Sequence, residues 1–150
     1  MRIGVISSEI SPFAKTGGLA DVVGSLSVAL EQLGHELCLI MPAYRSILQD
    51  GFAVTNLSLD VSVPLSNRQE TASIVQAKLG RDVIVYLVRA DRYFDRESLY
   101  GTKQGDYADN LARFVFLTRS ALEILRHERV ELIHCHDWQT ALAPVFLRTQ

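Results

Sequence analysis

Cysteine, tryptophan, methionine and proline are all scarce in this 150-residue chain, at two, one, two and four residues. Cys38 and Cys135 sit far apart inside apolar segments. That is the usual setting of small buried thiols in a reducing compartment, so no disulfide framework is expected. Charge of one sign is missing too. Fifteen Lys and Arg stand against 17 Asp and Glu, a net charge of -2. No basic cluster forms, so the electrostatic footprint of a nucleic-acid binder is absent. Long hydrophobic runs are also lacking, since Val83 to Val88 is among the longest and a bilayer span needs roughly 20 residues. The N-terminus runs straight into a strand-like segment, so neither a membrane span nor a signal peptide is expected.

What remains is 48% apolar and 21% charged residues, the composition of one soluble globular domain. Such a length buries about two-thirds of its unfolded surface and supports its own core. It is nonetheless short for an enzyme that encloses a large substrate, because α/β ligand sites commonly lie between two domains.

Arg2 to Ser7 is a short β-branched run followed by a polar, glycine-containing loop, and it reads as a buried strand. From Leu19, apolar residues recur at Val22, Val23, Leu26, Leu30 and Leu33, with Gly34 placed to end the segment. This spacing predicts a helix over 19–33. His35 to Met41, stopped by Pro42, predicts a second strand, parallel to the first through a right-handed crossover. Leu57 to Leu65 alternates with polar residues, Glu70 to Leu79 is again strand-like and Val83 to Val88 is continuously apolar. A half-exposed hairpin feeding a buried strand follows. After a polar and aromatic loop, Tyr107, Leu111, Phe114, Val115, Thr118, Leu122 and Leu125 predict a long amphipathic helix, with Asp106 and Asp109 in its first turn. Glu131 to Cys135 reads as a last strand and His136 to Leu147 as a further helix. The fold class is therefore α/β, a Rossmann-like, doubly wound, mostly parallel sheet with an inserted β-hairpin.

Ligands of such sheets bind beyond the C-terminal strand ends. Two loops at that edge carry concentrated polar chemistry: Ser7 to Gly18 and His134 to Trp138. In the first, Gly17 and Gly18 permit close backbone approach, a helix N-terminus offers free N–H groups and Lys15 adds a charge, which together suit a phosphate. The spacing matches neither GxGxxG nor GxxxxGK[ST], and a glycine-rich turn with a solvated lysine is the plainer reading. Glu9 either binds hydroxyls or pairs with a surface cation. In the second loop, His134 and His136 are expected on opposite faces of the sheet, one a core residue and the other facing the crevice, which argues against a zinc pair. Asp137 reads equally as a helix N-cap and as a catalytic carboxylate. Tyr93, Phe94, Tyr100 and Tyr107 offer stacking faces or anchor their loop. For Asp109 and Asn110, capping is the default.

Four blocks, SSEISPFAKTGGLADVVGSL, FDRESLYG, DYADNLARF and HCHDWQTALAP, follow one another across nearly the whole chain. In that order they resemble the bacterial and plant glycogen and starch synthases, glucosyltransferases that use a nucleotide-glucose donor. Departures are small: Ser27 stands where the family usually has proline, Cys135 where it has alanine, and Phe94 where some members have tyrosine. The resemblance implies a GT-B glycosyltransferase, with residues 1–150 as the N-terminal Rossmann-like, acceptor-side domain and a C-terminal nucleotide-binding domain outside this chain. It implies retaining transfer of glucose from ADP-glucose to the non-reducing end of an α-1,4-glucan, with no cofactor and no metal, in the cytoplasm or in a plastid of a plant. Lys15, Gly17, Gly18 and Asp21 then fall on the donor, with His136 and Lys15 as the catalytic pair. Glu9, Phe94 and Asp109 fall on the acceptor. The alternative is a non-catalytic glucan-binding or regulatory domain of the same fold.

Overall fold

A computed structural model describes residues 1–149. Strands β1 (Arg2–Ile6), β2 (Glu36–Pro42), β3 (Thr55–Leu65), β4 (Arg68–Leu79), β5 (Val83–Arg89) and β8 (Leu132–Cys135) form one six-stranded sheet in the order β3-β4-β5-β2-β1-β8. The run β5-β2-β1-β8 is parallel. The predicted hairpin, β3 with β4, continues it antiparallel through β5. The sheet is therefore mixed, and the apolar continuity of β2 and β5 has its cause here: both are interior strands, buried on two faces. Two residue pairs, β6 (Gly101–Thr102) and β7 (Gly105–Asp106), make a small separate hairpin.

Helices α1 (Gly18–Gln32), α2 (Arg45–Gln49), α3 (Asp91–Phe94), α4 (Asn110–His127) and α5 (Ala143–Thr149) fill the connections. None is long and apolar enough among the described residues to cross a membrane. The predicted α1 boundaries hold to one residue at each end, but its buried face does not follow the large apolar side chains. Val22 and Leu33 are 57% and 75% exposed, while Ala20, Val23, Gly24 and Ser27 are buried. Close approach decides this. The Ser11 amide donates to the Ala20 carbonyl at 3.1 Å, and a Cβ on Gly24 would stand 2.8 Å from the Ser11 carbonyl oxygen. Only small residues let the first loop lie that near the helix.

Three other expectations need correction. Leu111 of α4 is 73% exposed, because Asn110, Arg113 and Phe114 turn the buried face toward the aromatic loop instead. Asp106 lies in β7, not in the first turn of α4, and Asp109 caps no amide with its side chain. The helix expected over 136–147 breaks into a 3-10 turn (Trp138–Thr140) and α5. Cys38 and Cys135 are both free thiols. Burial first, then the charge of Glu128, pushes Cys38 up to about 12, which leaves it an unreactive core side chain.

Candidate functional site

Because β1, β2, β5 and β8 run parallel, their C-terminal ends share one edge, and the loops after Ile6 and Cys135 meet there. The His136 amide donates to the Ile6 carbonyl at 3.1 Å, which ties the two loops together at their bases. A cavity of about 750 Å³ lies instead at the opposite edge, against Arg2, His35 and Arg81, where the strands begin.

The first loop delivers an uncapped helix end. Gly17, in extended backbone with φ -155°, is the N-cap of α1 and offers no side chain to the first-turn amides. Nothing stands within 4 Å of a Cβ built on Gly17 or Gly18. Neither glycine answers an internal packing demand, so what they provide is an open row of N–H groups at the positive end of a helix. Lys15 stands beside it, its Nζ donating to the two Asp21 carboxylate oxygens at 2.8 and 2.6 Å. Both partners are about half exposed, at 52% and 53%, so the pair contributes only about 0.2–1 kcal/mol and is easily exchanged for a stronger anion. The structure therefore brings Lys15, Gly17, Gly18 and Asp21 together.

Glu9 is different from its expected role. It is 3% exposed. Its carboxylate accepts from the Thr16 amide at 2.5 Å, the Thr16 hydroxyl at 2.6 Å and the Tyr100 hydroxyl at 2.6 Å. It clasps its own loop, and no surface cation is involved. Phe94 is fully buried at 0% exposure, edge-on to Tyr44 at 6.0 Å and tilted against Phe116 at 6.4 Å. It has no face left for a sugar, and this corrects its assignment to the acceptor: it anchors the wall behind the loop. Asp109 is bound by Arg96 at 3.0 and 2.6 Å. Burial raises its carboxyl, the Arg96 hydrogen bonds and charge outweigh that, and the group ends below its ordinary value.

In the second loop, the expectation that His134 and His136 face apart fails on pleat geometry, since residues two apart on a strand share a face. Their rings lie 4.1 Å apart with planes at 33°. His136 Nε2 is buried without a hydrogen-bond partner among the described residues, and burial, then the charge of His134, lowers its pKa. The sign follows directly. A histidine with a depressed folded pKa contributes stability that is fully present above its unfolded value near 6.5 and lost as pH falls through the folded one. The contribution of His136 to the unfolding free energy, read from urea titrations, is thus expected to drop as pH falls from 7 toward 5, by at most about 1.4 kcal/mol per pH unit, the one-proton limit. His136→Asn is expected to flatten that limb; an unchanged slope contradicts the assignment.

Asp137 takes φ 63° and ψ -177°, a region nearly reserved for glycine, and costs about 1–3 kcal/mol to hold there. Its Oδ1 accepts from the Trp138 amide at 2.7 Å, so the capping role is real, for a 3-10 turn. The strain also aims an exposed carboxylate at the strand edge, where its charge reaches Tyr100. Trp138 is 53% exposed and stands edge-on to Phe114 at 5.3 Å. Among the described residues no three His, Cys, Asp or Glu are grouped to hold a metal.

The profile of a family described as the starch synthase catalytic domain matches residues 2–150. Glycogen synthase 2 of Geobacter sulfurreducens is 45% identical over 152 residues, all of this chain and 31% of its own length. Glycogen synthase of Syntrophotalea carbinolica is 44% identical with the same coverage. The solved catalytic domain of starch synthase IV from Arabidopsis thaliana, bound to ADP and acarbose, superposes with a TM-score of 0.82 at 29% identity, over 97% of this chain and 30% of that one. The chain thus spans about 31% of the length of these curated relatives.

Proposed function

The chain belongs to the starch synthase catalytic-domain family, and from that premise we propose that it is the N-terminal domain of a cytoplasmic retaining glucosyltransferase. That enzyme moves glucose from ADP-glucose to the non-reducing end of an α-1,4-glucan. The observation that carries the reading is the open amino end of α1 with Lys15 beside it. Breaking the donor's glucosyl bond leaves growing negative charge on the departing diphosphate and an oxocarbenium-like sugar. Free amides, fixed in place before the reaction, stabilise that charge without reorganisation, and the Lys15 ammonium adds its charge to theirs. Asp21 holds Lys15 until the diphosphate replaces it. His136, neutral by burial and at the same edge, and the strained Asp137 carboxylate face the transferred glucose. The acceptor glucan enters from the side of the Asp109 and Arg96 pair. A second, C-terminal domain supplies the rest of the nucleotide grip across the cleft.

The test is release of ADP with incorporation of glucose into glycogen by the whole protein, and binding of maltooligosaccharides by this chain alone. We expect turnover by the whole protein, and millimolar sugar binding without turnover by the 150 residues. Glucan retention with no ADP release from the whole protein would instead establish a non-catalytic binding domain. Turnover by this chain alone would overturn the proposed division of the site.

A further inference from the structure

Among the described residues Arg113 is the largest fully buried side chain, at 0% exposure, and no carboxylate of theirs pairs with it. Nε donates to the Tyr93 carbonyl at 2.7 Å, and Nη1 to the Leu99 carbonyl at 2.9 Å and to Asn110 Oδ1 at 2.6 Å. A cation buried on neutral oxygens is costly to keep. What it holds is informative. Tyr93 and Leu99 bracket the loop before Tyr100, and Asn110 passes the contact on, its Nδ2 donating to the Tyr100 carbonyl at 2.8 Å. The Tyr100 backbone is thereby fixed from α4. Its hydroxyl donates to Glu9 Oε1 at 2.6 Å, and the Ser8 hydroxyl completes it at 2.8 Å. Glu9 in turn grips both the amide and the hydroxyl of Thr16, the residue between Lys15 and Gly17.

We infer that Arg113 and Tyr100 are positioning residues for the nucleotide-sugar: through Asn110 and Glu9 they fix Thr16, and with it the placement of Lys15 and the α1 amides. The inference rests on the donor role proposed above for that loop. Arg113, with no exposed surface, acts only through the groups it holds. Burial first, then the bond to Glu9, pushes the Tyr100 phenol up, so it keeps its proton and stays the donor. An error of about 1 Å at the loop is sufficient to slow transfer, because the amides stabilise charge only where it develops.

Tyr100→Phe removes one oxygen and keeps the ring against Phe114, 5.9 Å away. In the whole protein, exchange of the Thr16 amide, which Glu9 holds, is expected to speed up about tenfold, the loss of one charge-assisted bond, with α4 protection unchanged. The donor kcat/KM is expected to fall about tenfold by the same measure, with the acceptor KM within about twofold. Arg113→Lys should reproduce the split, since an ammonium cannot serve three acceptors in a fork. Unchanged exchange at the Thr16 amide in Tyr100→Phe overturns the clasp, whatever the wild type does with ADP. Faster exchange with equal losses in donor and acceptor terms overturns the donor-specific role. A wild type that neither binds ADP nor transfers glucose overturns the donor role and the proposed function together, while exchange still decides the clasp.

Discussion

Arg113→Ala is expected to destabilise the fold by about 3–5 kcal/mol, read as a lower urea midpoint at constant m. Three acceptors lose their donor at once: the Tyr93 and Leu99 carbonyls and Asn110 Oδ1. Each oxygen left unpaired in the interior costs about 1–3 kcal/mol. The guanidinium also fills space among Phe94, Tyr107 and Phe114, at 5.7, 5.0 and 5.3 Å from their centroids, so truncation adds a cavity. Opposing these losses is the relief of a desolvated charge, which burial already disfavours enough to lower the Arg113 pKa. The losses are larger, because the acceptors remain buried after the cation has gone. Arg113→Met separates the terms: it restores volume without donors and is expected to cost about 1–2 kcal/mol, less than alanine. An alanine variant within about 1 kcal/mol of wild type would show that the loop pairs elsewhere.

Arg113 also shows where a sequence stops being legible. Periodicity counts apolar residues, and a buried arginine inside α4 scores as a solvated position, so the pattern put Leu111 inward and left Arg113 out. The strands of the parallel core were readable because β-branched runs between turn residues leave few other options, and β1 and β2 match to within a residue or two. The α1 face was not, because it is set by how near the Ser11 loop lies, a tertiary distance that small residues record only silently. The loop motif marked Lys15, Gly17, Gly18 and Asp21 for a donor, and the structure pairs Lys15 with Asp21 beside the glycine-capped end of α1. Glu9 was legible as a carboxylate in the right loop, yet its partners lie at Thr16 and at Tyr100, and the second comes from a segment whose path no local pattern specifies. The histidine pair was readable in principle, since two residues apart on a strand means one face.

Lys15→Met is expected to lower kcat of the whole protein by about 10²–10³, the cost of removing one preorganised charge-stabilising donor. Stability is expected to move little, because among the described residues Lys15 pairs only with Asp21, both side chains are about half exposed at 52% and 53%, and such pairs contribute at most about 1 kcal/mol. Large kinetic loss without structural loss is what separates a catalytic cation from a surface ion pair. Asp21→Asn supplies the opposite comparison. It removes the ion-pair partner that holds Lys15 at 2.6 Å but leaves the ammonium free to meet a diphosphate, so its effect on kcat is expected to stay within about tenfold. The uncapped α1 amides remain in both variants and account for residual activity, in the way that backbone donors sustain catalysis after a side chain is lost. Steady-state kinetics at saturating donor, with melting curves of both variants, decide the matter. A Lys15→Met enzyme within about threefold of wild type in kcat removes the lysine from charge stabilisation and leaves the helix end alone in that role.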